Sequence, residues 1–166
     1  MRELDRLRRG LEATLDGDPW YGLAVAAILD GVSAEGAAAR PIPEAHSIWE
    51  LVLHMTSWVN ETNRRLRGGG HAEPVEGDWP AVGELTAASW QAARAALATA
   101  HGTLAATLTS MDVGELEDQI GTQVDAAGQP VTRYQTILGL LQHDAYHAGQ
   151  IALLKKALTL SERSAR

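Results

Sequence analysis

The chain has 166 residues, a formal net charge of -7 and no cysteine. This length suits one domain with a well-buried core, and we expect residues 1–166 to form a single domain. The acidic balance and the short basic clusters argue against nucleic acid as a partner. Without cysteine the chain can form neither a disulfide nor a thiolate metal site, so strong metal ligands must come from His, Asp or Glu.

Hydrophobic residues make up 45% of the chain, with Ala and Leu dominant and no Phe. Because Ala and Leu favour helices and β-branched residues are sparse, the composition predicts an all-α fold of helices packed on helices. The apolar runs are short and interrupted by charges, and no apolar signal segment follows Met1. We therefore expect no membrane span and a cytoplasmic protein.

The first 30 residues predict two helical segments. Leucines at a spacing of three or four residues indicate an amphipathic helix over residues 3–15. Asp18 as N-cap and Pro19 at the first helical position then predict a restart that runs to about Asp30. The two segments could be one kinked helix or two separate helices.

The next part of the chain contains clear helix-start signals. Ser33 is predicted to cap a short turn that ends at Ala39. Ser47, with Glu50 three residues later, forms a capping box ahead of an apolar run. This pattern predicts a long helix that ends near Arg67, before three consecutive glycines.

A polar loop rich in Gly and Pro is predicted at residues 70–80, followed by an Ala-rich helix at about 82–110. Residues 112–131 contain several glycines and a weak strand-like alternation, which indicates an irregular connection or a small hairpin near 115–131. Long connections of this kind occur in four-helix bundles with a crossover. The predicted architecture is therefore a bundle of helices.

The last helix contains two histidines one turn apart. Thr132 and Gln135 form a second possible capping box, and the helix should continue to about Leu158. His143 and His147 are four residues apart, so both imidazoles project from the same helix face and can bind one ion. The glutamate of an H-E-x-x-H protease motif is absent, so we do not predict that mechanism.

Helical projection places Leu140, His143, His147, Ile151 and Leu154 on one stripe, so the two histidines should point into the bundle. A third histidine, His54, lies at the margin of the apolar stripe of the second long helix, from which it could meet the pair. Three ligands leave open coordination positions for water or substrate, as in catalytic metal sites.

Each feature also has a structural interpretation. A histidine pair at this spacing can arise by chance on a solvated helix, and His54 alone could be a hydrogen-bonded residue at the core margin. The other three histidines, at positions 46, 71 and 101, are interpreted as solvated. A bundle with no metal site therefore remains a possible outcome.

The tryptophans and two of the acids likewise have both a functional and a structural interpretation. Most of the five tryptophans should be packing anchors, with Trp20 and Trp58 the best candidates to line a pocket. Asp144 and Glu50 could orient a ligating imidazole, or be a solvated carboxylate and a capping residue. For Glu50 we favour the capping role.

Two segments of the chain form a recognisable pattern, namely His46–Met55 and the run His143-x-x-x-His147-Ala148-Gly149-Gln150-Ile151. Both segments resemble the DinB/YfiT-like superfamily, whose members are described as metal-dependent enzymes. The resemblance covers nearly the whole chain and includes Asp18–Trp20 and Asp78–Pro80. It implies a four-helix bundle with a long crossover connection, a metal site formed by His54, His143 and His147, and a homodimer.

The resemblance leaves the reaction open. It implies either transfer or isomerisation that depends on a low-molecular-weight thiol, or hydrolysis. Zinc or nickel is the expected metal, although three imidazoles also accept copper or iron. A non-catalytic stress-response or interaction bundle, with the metal structural or absent, is the alternative.

Overall fold

The computed structural model describes residues 3–164, with side chains described for residues 3–160. Within this range the fold is helical with one small hairpin, which confirms the predicted all-α class. The elements in chain order are α1 (Glu3–Asp16), α2 (Val25–Leu29), α3 (Ala34–Ala38), α4 (Ile48–Leu66), α5 (Ala87–Ser110), a 3-10 helix (Val113–Glu117), β1 (Gln119–Val124), β2 (Pro130–Thr132) and α6 (Arg133–Ser164).

Helices α1, α4, α5 and α6 form the four-helix bundle. Helix α4 packs along both α5 and α6, and α1 packs along the same two helices. Helix α5 therefore lies diagonally across from α6, and α1 lies diagonally across from α4. The connection from α5 to α6 has to cross the bundle, and it contains the 3-10 helix and the antiparallel hairpin of β1 and β2.

The core consists of two apolar clusters that follow one another along the long helices. On α4 the first cluster includes Ile48 and Met55, whereas the second includes Val59 and Leu66. Full burial of one such side chain stabilises the fold by roughly 1.5–3 kcal/mol, so both clusters hold the four helices in register. Between the clusters lies a layer of buried polar side chains that includes His54, His101, Asp144 and His147.

The predicted capping boxes are present at both helices that carry the histidines. At α4 the Ser47 hydroxyl accepts from the Glu50 amide at 3.2 Å, and the Glu50 carboxylate accepts from the Ser47 amide at 2.7 Å. Thr132 and Gln135 form the same reciprocal pair at the start of α6, at 3.2 and 2.9 Å. Ser33 caps α3 through the amide of Gly36, also as predicted.

The predicted helix restart at Asp18 and Pro19 is wrong. Pro19 opens a turn in which its carbonyl accepts from the Gly22 amide at 3.3 Å. Gly22 has a φ of 142°, a conformation that ends helical geometry and that glycine adopts at little cost. The following helix, α2, begins only at Val25.

Two helix limits differ from the sequence prediction. Helix α5 begins at Ala87 instead of residue 82, because Thr86 is the N-cap and its hydroxyl accepts from the Ser89 amide. Helix α6 continues to Ser164 instead of Leu158, and no Gly or Pro follows Leu158 to interrupt it. Among the described residues, no helix is long and apolar enough to cross a membrane.

Candidate metal centre

The two histidines of α6 face the interior at the level of the polar layer. Leu140, Ile151 and Leu154 on the same stripe are at most 5% exposed, which confirms the predicted inward face. His147 is itself buried, and His143 is half-buried at the edge of the bundle. Since α4 packs along α6, the third histidine is presented to this pair from a neighbouring helix.

The Nε2 atoms of the three histidines converge. Nε2 of His54 lies 2.9 Å from Nε2 of His143, which lies 3.1 Å from Nε2 of His147. The ligand atoms of the three side chains all lie within 4.8 Å of one another. Because imidazole nitrogens bind zinc at about 2.0–2.1 Å, atoms this close can contact one cation. The sequence prediction that these three residues meet is confirmed.

The opposite nitrogen of each imidazole faces an oxygen. Nδ1 of His54 donates to the backbone carbonyl of Asp78 at 2.6 Å, and Nδ1 of His147 donates to the Gln150 side-chain oxygen at 2.6 Å. Nδ1 of His143 lies 3.4 Å from the Asp144 carboxylate. A neutral imidazole has one N–H, so protonation at Nδ1 leaves the Nε2 lone pair free. Three lone pairs that face one another suit a bound cation.

Burial favours the neutral form of two of these imidazoles. Loss of solvent is the main reason why the pKa of His147 falls to about 4; its bond to Gln150 opposes this shift, and the neighbouring histidines add to it. Desolvation likewise lowers the pKa of His54, against the opposing effect of the Asp78 carbonyl. Neutral imidazole is the form that binds metals, so both side chains are ready for a metal at neutral pH.

The loop between α4 and α5 is attached to α4 beside the histidines. Side chains along more than two turns of the helix donate to it, so the loop follows the helix and brings residues 77–79 next to His54. These bonds run from Ser57 to the Gly77 carbonyl at 2.6 Å, from Trp58 to the Asp78 carboxylate at 2.7 Å, from Arg64 to the Gly70 carbonyl at 2.5 Å and from Arg65 to the Ala72 carbonyl at 2.6 Å.

Trp79 of this loop lies between two histidines. Its ring stacks on His54 with centroids 3.9 Å apart, and on His46 with centroids 3.6 Å apart. His46 is exposed, as predicted, but it is part of this stack. Trp79 was not among the site residues predicted from the sequence. Its position depends on the hydrogen bonds between the loop and α4, which the sequence does not reveal. The only sequence signal was the motif Asp78–Pro80, which was part of the family resemblance.

Of the two tryptophans that were expected to line a pocket, one does so and the other does not. Trp58 has its ring centroid 6.3 Å from that of His143 and lines a cavity beside it, which confirms the prediction. Trp20 is fully exposed, at 103%, and the prediction for it is wrong. It lies in the turn around Gly22, where the helix that would have directed it inward does not form.

Two cavities reach the histidine cluster from different sides. The first, of about 490 Å³, is lined by His147 and Trp79 together with mostly apolar side chains such as Leu51 and Leu153. The second, of about 310 Å³, is lined by His143, by apolar side chains such as Trp58 and Leu140, and by more polar side chains than the first: Thr62, Arg65, Gln123, Gln135 and Thr136. A molecule in either cavity would lie beside a histidine of the cluster.

His101 is not solvated, and that prediction is wrong. It lies in the middle of α5 and is only 4% exposed, because its helix face packs inside the bundle. Its Nε2 is 3.3 Å from the Asp144 carboxylate. His71 is exposed, as predicted.

The two acids also have distinct positions. Glu50 forms the α4 capping box, so the favoured interpretation is confirmed. Asp144 is fully buried and lies between His143 and His101, at 3.4 and 3.3 Å. It is therefore placed to orient His143, the first of its two interpretations, and it is not a solvated carboxylate.

Comparison with known proteins places this geometry in a family. No curated protein matches the chain. One solved structure, a conserved protein from Enterococcus faecalis, is similar with a TM-score of 0.71 at 15% identity, covering 96% of this chain and 98% of the other. At this identity the likeness concerns the fold. The family model of the DinB superfamily matches residues 24–151, which include all three converging histidines. The chain therefore belongs to the DinB superfamily.

Proposed function

We propose that this protein is a metal-dependent enzyme in which His54, His143 and His147 bind one divalent metal ion. The observation that carries the proposal is the convergence of three Nε2 atoms, with Nδ1 of His54 held by a carbonyl that can only accept a hydrogen bond. A protein carbonyl in this position fixes which nitrogen has the proton and which is free to bind.

The reaction proposed is attack by an activated thiol or water on an electrophilic substrate. When bound, a divalent ion with three neutral ligands would lower the pKa of a thiol or water in an open position. Zinc or nickel is the proposed metal. The family resemblance implies either a low-molecular-weight thiol as cosubstrate, in which case the protein would be an S-transferase, or water as the nucleophile, in which case it would be a hydrolase.

The surroundings of the cluster support access by two small molecules. The apolar cavity beside His147 suits the carbon skeleton of an electrophile, whereas the cavity beside His143 offers hydroxyl, amide and guanidinium groups. The side chain of Trp79 covers His54, which limits water around that imidazole. A structural metal site is normally closed, so this openness favours catalysis over a purely structural role.

The first experiment is metal analysis of protein purified without an affinity tag. We expect close to one zinc or nickel per chain in the wild type, and a loss of most of it in His143→Ala and in His147→Ala. The exposed His71→Ala is the matched control and should keep its metal. Unchanged metal content in both cluster variants would contradict the proposal.

Catalysis needs a second measurement. Thiol consumption should be assayed with a panel of thiols and electrophiles, and ester or amide hydrolysis should be assayed in parallel, before and after chelation. We expect a turnover that chelation abolishes and that added metal restores. If no pair turns over and chelation only lowers the melting temperature by a large amount, the metal is structural, as in the alternative function.

We also propose that the protein is a homodimer. Leu23 and Tyr146 are exposed and line a shared surface cavity of about 590 Å³, and Tyr146 and Leu153 both line the apolar cavity beside His147. A continuous apolar surface of this kind is typical of an interface between chains.

A further inference from the structure

The centre of the bundle contains a second polar contact that the three-histidine cluster does not require. His101 on α5 and Asp144 on α6 meet across the diagonal of the bundle, with Nε2 of His101 3.3 Å from Oδ2 of Asp144. His101 is 4% exposed and Asp144 is 0% exposed. Both therefore lie among side chains from the two apolar clusters, which on their own would favour apolar residues.

Burial of these polar groups costs free energy of folding unless they form a hydrogen bond with each other. Both ring nitrogens of His101 and Oδ2 of Asp144 are inaccessible to solvent, and among the described residues they form no hydrogen bond of standard geometry. A buried carboxylate without a donor is destabilising by several kcal/mol. The 3.3 Å contact makes His101 the group best placed to donate to Oδ2.

The other oxygen of the same carboxylate faces the metal centre. Oδ1 of Asp144 lies 3.4 Å from Nδ1 of His143, so one carboxylate connects His143 on one side with His101 on the other. A carboxylate orients a metal-binding imidazole only if the carboxylate is itself held in place. His54 and His147 have the Asp78 carbonyl and the Gln150 side chain for this purpose, and the Asp78 carboxylate also lies 3.3 Å from Nδ1 of His54.

We propose that His101 is a positioning residue of the metal centre, which holds the Asp144 carboxylate so that its other oxygen orients His143. This inference rests on the proposed metal site but not on catalysis. His101 has no contact with the three-histidine cluster itself and acts through Asp144. Loss of His101 frees Oδ2, so that the carboxylate can turn away from Nδ1 of His143.

The competing explanation is purely structural. A buried polar pair across a bundle can serve only to fix the packing of its helices, and its replacement by apolar residues can even be stabilising. Both explanations allow a change in stability when His101 is replaced. Only the positioning role predicts a change in how the folded protein binds metal.

The test is the zinc affinity of the full chain, measured by competition with a chromophoric chelator far below each variant's melting temperature. We expect His101→Leu to weaken binding about tenfold to a hundredfold, the effect typical of lost support for a ligating histidine. His101→Gln, whose amide can donate to Asp144, should recover most of the affinity. Leu104→Ala, a buried change one turn away on α5, controls for lost stability and should bind zinc normally.

Two further measurements separate the explanations. The visible spectrum of the Co²⁺-loaded protein should change in His101→Leu and return in His101→Gln, because it reports the ligand geometry. If His101 acts through Asp144, its replacement should have little further effect on affinity in an Asp144→Ala background. Should His101→Leu fail to fold, His101→Asn, whose amide is too short to reach, takes its place against His101→Gln.

The outcomes are distinguishable. If the wild type binds no zinc, the proposed metal site fails and the inference fails with it. If the wild type binds zinc and His101→Leu or His101→Asn binds it equally well with the same Co²⁺ spectrum, only the inference is overturned. Full additivity with Asp144→Ala would also overturn it.

Discussion

The indole of Trp79 stacks on the imidazole of His54, with ring centroids 3.9 Å apart and planes inclined by 9°. One of the three converging nitrogens therefore belongs to a ring in contact with a fluorophore. Trp79 is held there by the loop that α4 binds through Ser57, Trp58 and the arginines that follow. This contact makes metal binding observable without any substrate.

Addition of Ni²⁺ or Cu²⁺ to the metal-free protein should quench tryptophan fluorescence, since paramagnetic ions quench nearby indoles. We expect Trp79→Phe to lose the largest share of the quenching, with a smaller share due to Trp58. Trp20→Phe is the control, because Trp20 is fully exposed and lies in the turn before α2, so this change should leave the intensity that is lost on metal addition almost unchanged. Equal quenching in wild type and Trp79→Phe would contradict the stacked geometry.

Gln150 supports His147 in the way that the Asp78 carbonyl supports His54. Its side-chain oxygen accepts from Nδ1 at 2.6 Å, so Gln150→Leu removes the acceptor and keeps a side chain of similar size. We expect zinc affinity to fall about tenfold to a hundredfold. Gln142→Leu, on the exposed face of the same helix, is the matched control. Zinc titration measures both, and equal affinities would show that Gln150 does not orient His147.

Local sequence predicted those parts of the fold that local interactions determine. Capping boxes join residues three apart, so Ser47 with Glu50 and Thr132 with Gln135 were identifiable. His143 and His147 share a face because the helical repeat requires it. His54 lies on a second helix. The prediction that it meets the other two histidines therefore required the family resemblance in addition to helical projection.

What sequence could not predict depends on contacts between distant elements. His101 lies in an Ala-rich helix without strong periodicity, and its partner Asp144 is on the diagonal helix. Trp79 is placed by a loop that α4 binds at several points. The predicted restart at Asp18 followed a capping pattern that is common before helices, yet the turn that ends at Gly22 overrides it.

A buried acid on α4 is expected to hold the same loop indirectly. Glu61 is 2% exposed and accepts hydrogen bonds from Arg64 and Arg65, which in turn donate to loop carbonyls. Glu61→Gln should lower the free energy of unfolding by about 3 kcal/mol, because it leaves partly buried arginines without their counter-charge.

Urea denaturation monitored by circular dichroism measures this effect. Glu12→Gln serves as the control, since Glu12 pairs with Arg8 on the surface and such pairs contribute about 1 kcal/mol or less. A loss in Glu61→Gln no larger than that in Glu12→Gln would contradict the structural role. A change in the quenching of tryptophan fluorescence by Ni²⁺ in Glu61→Gln would further link Glu61 and its two arginines to the position of Trp79.

Acid should destabilise the metal-free protein. Burial lowers the pKa of His147 to about 4, from an ordinary value near 6.5 in the unfolded chain, and also lowers the pKa of His54 and His101. Between these values the unfolded chain binds protons that the folded chain does not, so stability falls as the pH decreases from about 6.5 towards 4.

The measurement is the free energy of unfolding in urea with chelator present, at several pH values from 7 to 4. The variant His147→Gln lacks one of the affected groups, and its stability should depend less on pH over this window. Equal pH dependence in the variant and the wild type would show that His147 is not protected from protonation in the folded state.

The apolar surface formed by Leu23, Tyr146 and Leu153 is the basis of the last prediction. If a second chain covers it, Leu153→Glu should place a charge in the interface and convert the protein to a monomer. Val75→Glu is the control, because Val75 is 86% exposed in the loop after α4 and lies outside this surface. Light scattering after size exclusion gives the mass of each variant. A monomeric wild type, or a Leu153→Glu dimer as stable as the wild type, would contradict the proposed interface. Because Leu153 also lines the cavity beside His147, the monomeric Leu153→Glu variant should retain its zinc but bind apolar electrophiles more weakly than the wild type.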